Sequence, residues 1–227
     1  AALAGQLNPA AQATMFAAIY AGPVNPLQLD ADTFSSVAYQ FAAAPNALPT
    51  AFTFGNPFPP SWGLGAAVIY QAAVQRTVPA GTTYPLQITS YVRSVMPIAT
   101  FTAGPIQPQL GPVVQPRVNG LDLLIDQMGI GVRPTFTWTA PTLGTPSRYQ
   151  VNVNRLAAQQ GQTYVAARTR FETPNTTLTL PANMLVSGQA YVVTIVAFYS
   201  AGVSSSRLFG NPLPLHDAAV VSGVLRP

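Results

Sequence analysis

The chain has 227 residues, of which 48% are hydrophobic and only 7% are charged, against about 25% charged residues in an average soluble domain. Its net charge of +4 comes from ten arginines and six acidic residues, because lysine is absent, and cysteine is absent too. The lack of cysteine excludes disulfides, thiolate metal sites and a cysteine nucleophile. The arginines are mostly scattered and form no basic run of the kind that follows phosphates, so we expect no nucleic-acid partner.

Composition also indicates the fold class and the location. No segment reaches the roughly 18 uninterrupted apolar residues that a membrane-spanning helix needs. The 23 prolines and 17 glycines stand between short apolar runs, a pattern typical of many strands joined by turns, so we predict an all-β chain. The sequence begins at Ala1 without a methionine, as it would if a signal peptide had been removed or left out. We expect an extracytoplasmic location, either secreted, periplasmic or at the cell surface.

Residues 1–104 are predicted to form a first β-sandwich. Apolar and aromatic runs between Gly, Pro and Asn turns predict strands at residues 15–20, 33–41, 51–54, 66–70, 84–89 and 96–102. At residues 29–34, the run Leu-Asp-Ala-Asp-Thr-Phe places a turn before an aromatic strand. This run resembles the opening hairpin of transthyretin-like or immunoglobulin-like modules in secreted bacterial proteins, and the resemblance implies a surface module.

Residues 45–65 hold the first candidate binding surface. They place Phe52, Phe54, Phe58 and Trp62 among five prolines. Aromatic rings on a rigid loop make a platform for sugar faces or proline-rich peptides. Packing in the core is the alternative for the phenylalanines, whereas Trp62, flanked by Ser and Gly, is expected to be partly exposed. Phe58 and Trp62 are therefore candidate ligand contacts.

Residues 105–116 are predicted to be a proline-rich linker. Prolines recur there every three or four residues, without a helical or strand period, as in an extended connector. The consequence is two β-sandwich domains in tandem, each of about 100 residues, with the second at residues 117–227.

The second half has the clearest strand pattern. Strands are predicted at residues 134–141, 148–154, 164–171, 176–180, 191–199 and 218–225. Tyr149, Val151 and Val153 alternate with polar residues, as in a half-buried antiparallel strand. Leu185 and Tyr191 precede the next long strand with a spacing that suits a tyrosine corner. In that motif the phenol bonds the chain upstream while its ring packs in the core.

This part of the sequence resembles a fibronectin type III domain over roughly residues 117–225. The matching features are Trp138 followed by Ala140-Pro141, the Tyr149 strand, Leu185 with Tyr191, and Ala197 running into Ala201-Gly202. The resemblance implies a sandwich used for binding or adhesion. There are two departures: residues 207–214 lengthen the final hairpin, and the Arg-Gly-Asp tripeptide of the family is absent. The integrin-binding role is therefore not carried over.

A second candidate surface follows from alternation along the strand that begins at Tyr191. If Tyr191 faces the core, Val192, Val196 and Phe198 must face the opposite side. An exposed apolar stripe generally marks an interface. We therefore predict that this face is covered, either by the first domain or by another protein.

Arginines are expected to gather on the same face. Arg168 and Arg170 point the same way along their predicted strand, and Arg148 and Arg155 flank the neighbouring one, so four of the ten arginines are expected there. A solvated polar face is the alternative interpretation. Together with the apolar stripe, Arg148, Arg168 and Arg170 complete the predicted ligand or interface residues.

Catalysis is not expected from this sequence. His216 is the only histidine, and its loop-like surroundings predict a surface residue. Asp30 and Asp32 offer oxygen ligands to calcium, but six to eight oxygens are needed and turn capping is the alternative role. No nucleophile elbow, phosphate loop or histidine metal pair is present. We predict no catalytic residue, no metal and no cofactor.

The sequence therefore predicts a non-catalytic extracytoplasmic binding or adhesion module of a bacterial secreted or surface protein. Its partners would be protein or carbohydrate ligands. One alternative is an accessory domain of a secreted carbohydrate-active enzyme whose catalytic part lies elsewhere. Another is a structural spacer or a self-assembling subunit.

Overall fold

The computed structural model describes residues 16–24, 38–42, 55, 63–77, 84–101, 107–201 and 213–227. These residues are mostly β-strand with almost no helix, and the sheets are curled, so the all-β prediction is confirmed. The elements are β1 (Phe16–Val24), β2 (Ala38–Ala42), β3 (Gly63–Arg76), β4 (Leu86–Pro97), α1 (Ile98–Phe101), β5 (Val114–Val118), β6 (Leu121–Asp122), β7 (Gln127–Met128), β8 (Thr135–Thr139), β9 (Arg148–Gln159), β10 (Gln162–Thr173), β11 (Thr177–Thr179), β12 (Ala190–Ser200), β13 (Leu215–Val221) and β14 (Leu225–Arg226).

Within the described residues the strands form a large sheet and a small sheet. The large sheet has the order β10-β9-β12-β13-β4-β3-β1-β2; in addition, β14 pairs with β12, and β7 pairs with β14. The small sheet has the order β11-β8-β5-β6. Because β13 of the second half pairs antiparallel with β4 of the first half, the large sheet runs through both halves. Two tandem sandwich domains are therefore not confirmed.

The main hydrophobic core lies between the small sheet and the second-half strands of the large sheet. Phe136 and Trp138 enter it from β8, and Trp138 meets Tyr149 of β9 edge-on, with ring centroids 5.3 Å apart. This geometry suits two aromatic quadrupoles. Leu110 and Val113, which precede β5, are also buried in this core. The last part of the predicted linker, from Leu110 onward, therefore packs as part of this sandwich and is not an extended connector there.

The predicted tyrosine corner is present at the start of β12. Tyr191 is buried in the main core, and its hydroxyl accepts a hydrogen bond from the Val186 backbone N–H at 2.9 Å. Leu185, next to Val186, is buried in the same core. The corner therefore fixes which face of β12 points into the sandwich.

Two strands predicted in the first half, at residues 84–89 and 96–102, have the wrong boundaries. The structure has one continuous strand, β4, followed directly by the short helix α1. Ser90, Val92 and Ser94 are all buried. Because two of these three inward positions are polar, the sequence shows no apolar alternation through the middle of β4. Pro97 ends the strand, where its ring nitrogen has no hydrogen to donate. The predicted strand at residues 51–54 and the turn at residues 29–34 lie outside the described residues.

The curl of the large sheet brings the beginning of β4 to the beginning of β10. Tyr84, just before β4, donates its backbone N–H to the Gly161 oxygen at 3.0 Å and accepts from the Thr163 N–H at 3.1 Å. This contact is an isolated parallel bridge rather than a ladder. It joins two strands that are otherwise separated by β9, β12 and β13 in the sheet order. The five strands consequently enclose a concave surface.

Candidate functional site

A cleft of about 370 Å³ lies on this concave surface of the large sheet. Strand β4 forms one wall, β9 and β10 form the other, and β12 and β13 lie between them. Three arginines, one aspartate and four side-chain amides are among its described lining residues. Its volume falls within the range of about 300–1,000 Å³ that is usual for small-molecule sites. The cleft is the candidate functional site.

The wall of β9 and β10 carries a ladder of polar pairs. In the strand register Arg168 faces Asn154 and Arg170 faces Asn152, and a β-bulge between Val165 and Ala167 precedes them. The Arg168 Nε donates to the Asn154 Oδ1 at 2.9 Å, and the Arg170 Nε donates to the Asn152 Oδ1 at 3.4 Å. Asn154 thus holds the exposed Arg168 through a short hydrogen bond, whereas the contact of Asn152 with the exposed Arg170 is long and weaker.

Asn154 is itself fixed by the strand on its other side. Its side chain is only 4% exposed, and its Nδ2 donates to the backbone oxygen of Val192 at 3.3 Å. The oxygen of the same side-chain amide accepts the hydrogen bond from Arg168. A buried amide bonded at both ends has little freedom to turn, so Arg168 is oriented before any ligand arrives.

The face of β12 opposite the sandwich core packs against strands of the first half at its two ends, and Thr194 and Val196 line the cleft between those ends. Val192 packs in a cluster with Leu86 and Ile88 of β4. Phe198, which is 2% exposed, packs with Val95 of β4. Sequence alternation therefore placed these side chains on the correct face, and the strand that covers them belongs to this chain.

The opposite wall contains a buried ion pair. The Arg93 Nε and Nη2 donate to the two carboxylate oxygens of Asp217 at 2.8 and 3.0 Å, and the Tyr91 hydroxyl donates to Asp217 Oδ2 at 2.9 Å. Asp217 is 2% exposed. Charged partners with bidentate geometry make the stronger kind of hydrogen bond. This group joins β4 of the first half to β13 of the second half.

Arg148 lies beside the cleft rather than in its lining. Its guanidinium carbon stands 4.0 Å from the centroid of the Phe198 ring, and its Nε is 3.3 Å from the Glu172 Oε2. Glu172 also accepts from the Gln150 Nε2 at 3.1 Å. The charge of Arg148 is thus partnered by a carboxylate and an aromatic face, which is a cation–π geometry.

The structure therefore divides the predicted site residues into three groups. Arg168, Arg170, Val196 and Phe198 line the cleft. Arg148 and Val192 contact residues that line it. Arg148 lies over the Phe198 ring, and Val192 packs with Leu86 and Ile88. Phe58 and Trp62 lie outside the described residues.

Sequence reasoning missed the wall formed by β4 and β13. Tyr91, Arg93 and Asp217 meet there although Tyr91 and Asp217 are 126 residues apart in the chain. No local pattern indicates which strands will pair over such a distance. The amides of β9 were visible as the polar face of a predicted strand, and that alternation was the available signal.

The prediction that His216 is a surface loop residue is wrong. His216 lies in β13, is 7% exposed and has its Nδ1 3.1 Å from the Ser94 Oγ. Its ring stacks on Tyr199, with centroids 5.8 Å apart. The predicted strand began at Ala218, but the ladder with β4 includes Leu215 to Ala219. The histidine is thus part of the β13–β4 junction.

We expect the stability of the protein to fall as the pH drops below 6.5. Burial lowers the pKa of the His216 imidazole below its ordinary value of 6.5, so between the two pKa values the unfolded chain binds more protons than the folded chain. As far as His216 is concerned, the free energy of unfolding is therefore at its highest above pH 6.5. It decreases as the pH falls toward the lowered pKa. Urea unfolding of the parent and of His216→Asn at several pH values measures this. An equal pH slope for both proteins between pH 7 and 5.5 would contradict the assignment.

Comparisons with known proteins do not indicate a function, so the functional argument depends on the chemistry of the cleft. No family model, curated protein or solved structure matches the chain. Among the described residues, no helix has the length and apolar character needed to cross a membrane. The same part of the chain brings together no group of three or more His, Asp or Glu side chains that could hold a metal ion.

Proposed function

We propose that the chain is a non-catalytic, extracytoplasmic binding module and that its ligand occupies the cleft. The observation that carries the proposal is the position of Arg168 and Arg170, whose guanidinium groups line a cavity and contact amide oxygens. Convergent polar groups in a largely preformed concavity are the usual mark of a binding site. Protein and carbohydrate ligands both belong to the proposal at this level.

We also propose that residues 117–227 form a fibronectin type III-like sandwich. Two mainly antiparallel sheets around Trp138 and Tyr149, and a tyrosine corner at Tyr191, support this, since such features are hallmarks of immunoglobulin-like sandwiches. A separate first sandwich remains a prediction. Residues 25–37 and 43–54, which include predicted strands of that sandwich, lie outside the described residues.

The non-catalytic part of the proposal rests on the state of the acidic groups near the cleft. Asp217 has both carboxylate oxygens engaged by Arg93 and by the Tyr91 hydroxyl. An acid–base catalyst needs a carboxyl group within hydrogen-bond reach of the reacting proton, and Asp217 already uses these oxygens within the wall. Glu172 is similarly engaged by Arg148 and Gln150.

The alternatives differ in how well the cleft supports them. An accessory domain of a carbohydrate-active enzyme would use the same cleft, so it is a variant of the same proposal. The apolar stripe at Val192, Val196 and Phe198 would support self-assembly only if it were exposed. These side chains are buried within the chain, so the stripe no longer favours a self-assembling subunit.

Array binding with a blocked cleft tests the proposed function. Thr194 lines the cleft from β12, and a Thr194→Trp side chain should fill it. Thr177→Trp places the same residue on exposed β11 of the small sheet as a matched control. We expect the parent and Thr177→Trp to bind the same member of a glycan or protein array, and Thr194→Trp to bind at least about tenfold more weakly.

Three outcomes of this experiment would count against the proposal. They are an absence of any ligand for the parent, equal binding by Thr194→Trp, and hydrolysis of an array member by the isolated chain. A Trp62→Ala variant tests the first candidate surface in the same format. If Trp62→Ala loses binding and Thr194→Trp does not, the ligand binds at residues 45–65 and not in the cleft. Thermal unfolding of each variant establishes that it is folded.

A further inference from the structure

We infer that the cleft binds an acidic oligosaccharide whose carboxylate or sulfate group lies against Arg168 and Arg170. The inference rests on the proposed function and specifies its ligand class. These two residues are called the arginine pair below. They stand two positions apart on β10 and face Asn154 and Asn152 across the ladder.

The arginine pair has no carboxylate partner among the described residues. Arg93 is paired with Asp217 and Arg148 with Glu172. Arg168 and Arg170 instead donate their Nε hydrogens to amide oxygens. Residues two apart on a strand have their Cα atoms roughly 7 Å apart, so two like charges share one side of the cavity. An anion placed between them would relieve their repulsion.

The free donors of the pair match an oxyanion. A guanidinium carries five N–H donors in a planar fork, and the bond to the amide oxygen uses only the one on Nε. The remaining donors are on the two terminal nitrogens, which suit bidentate contact with a carboxylate or a sulfate. Asn154, buried and bonded to Val192, holds Arg168 in position. The position of Arg168 is therefore set before binding.

The rest of the cleft indicates a sugar rather than a free small anion. Gln150, Thr194 and Thr89 also line the cleft and make no hydrogen bond to the pair. Amides and hydroxyls both donate and accept hydrogen bonds, which is the requirement for recognising sugar hydroxyl groups. A simple inorganic anion would leave most of the 370 Å³ and these side chains without a ligand contact. An acidic saccharide uses both parts of the site.

Calorimetry with matched ligands tests the inference. The probes are trisaccharides of galacturonate, mannuronate and glucuronate, their methyl esters, a sulfated trisaccharide and an acidic tripeptide. Methyl esterification removes the negative charge and keeps the sugar ring. We expect at least one acidic trisaccharide to bind the parent, and its neutral counterpart to bind at least about tenfold more weakly, as loss of charge-assisted hydrogen bonds requires.

Arginine variants locate the anion within the protein. Arg168→Gln and Arg170→Gln should each weaken acidic binding at least about tenfold and have little effect on the methyl ester. Arg133→Gln removes the same charge from an exposed loop outside the cleft and should change neither affinity. Affinity should also fall as salt rises from 0.05 to 0.5 M, because salt screens exposed charges. Binding of the uronate or of the sulfate identifies which anion the pair accepts.

Several results would overturn the inference. Equal binding of the acid and its ester would do so, as would an Arg133→Gln effect as large as that of Arg168→Gln, or binding of the acidic tripeptide alone. If the arrays find a neutral ligand that Thr194→Trp abolishes while no acidic sugar binds, the proposed function stands and this inference fails. If no ligand of any class depends on the cleft, both fail.

Discussion

Replacement of Phe198 with alanine is expected to lower the free energy of unfolding by about 3–5 kcal/mol, the usual cost of removing a buried phenylalanine side chain. Phe198 is 2% exposed and packs with Ala67 of β3, Val95 of β4 and Leu215 of β13. The substitution leaves a cavity between strands of the two halves. It also removes the aromatic face beneath Arg148.

Urea unfolding of the purified chain measures this effect. Tyr164→Ala is the control, because Tyr164 is an aromatic residue of the same sheet that is 40% exposed, and its loss should cost less than about 1 kcal/mol. If Phe198→Ala also costs less than about 1 kcal/mol, the first-half strands do not cover β12. The cleft would then lack its β4 wall.

The second large effect is expected for Asp217→Ala, at about 3–5 kcal/mol. The substitution removes the carboxylate that accepts from the Nε and Nη2 of Arg93, whose side chain is only 17% exposed. It also removes the acceptor of the Tyr91 hydroxyl. Breaking a buried pair from one side is costly because the remaining charge stays desolvated.

Glu172→Ala provides the matched comparison for Asp217. Glu172 also pairs with an arginine, but its side chain is 49% exposed, and exposed pairs contribute about 0–1 kcal/mol. Chemical denaturation of both variants should therefore separate them by more than about 2 kcal/mol. Similar losses for the two would show that Asp217 is not buried between β4 and β13.

Features that depend on neighbouring residues could be predicted from the sequence. Alternation on β9 identified Tyr149, Val151 and Val153 as an inward face, and all three are buried in the main core. The spacing of Leu185 and Tyr191 indicated a corner whose hydrogen bond is present. Such signals succeed because strand geometry turns successive side chains to opposite faces whatever the rest of the chain does.

Features that depend on distant pairing could not be predicted. Alternation indicated that Val196 and Phe198 share a face, but it carries no information about which strand covers that face. The answer is β4, through its ladder with β13. The same ladder buries His216 against Ser94, although the local sequence around the histidine resembles a loop.

The candidate site was predictable only in part, for the same reason. Arg168 and Arg170 were identified from one strand, and their amide partners lie on the adjacent one. Tyr91, Arg93 and Asp217 complete the cleft from strands that are remote in sequence. Phe58 and Trp62 stay a prediction, since they lie outside the described residues.

The pairing of β4 with β13 is the claim on which the cleft depends, and nuclear Overhauser contacts in the labelled protein test it most directly. The structure predicts antiparallel cross-strand contacts that match Val92 with Ala218, Arg93 with Asp217, and Val95 with Leu215. Backbone protons of these pairs should show contacts in that register. If β13 shows contacts only with β12 and none with residues 91–95, the two halves do not share a sheet and the cleft does not exist as described.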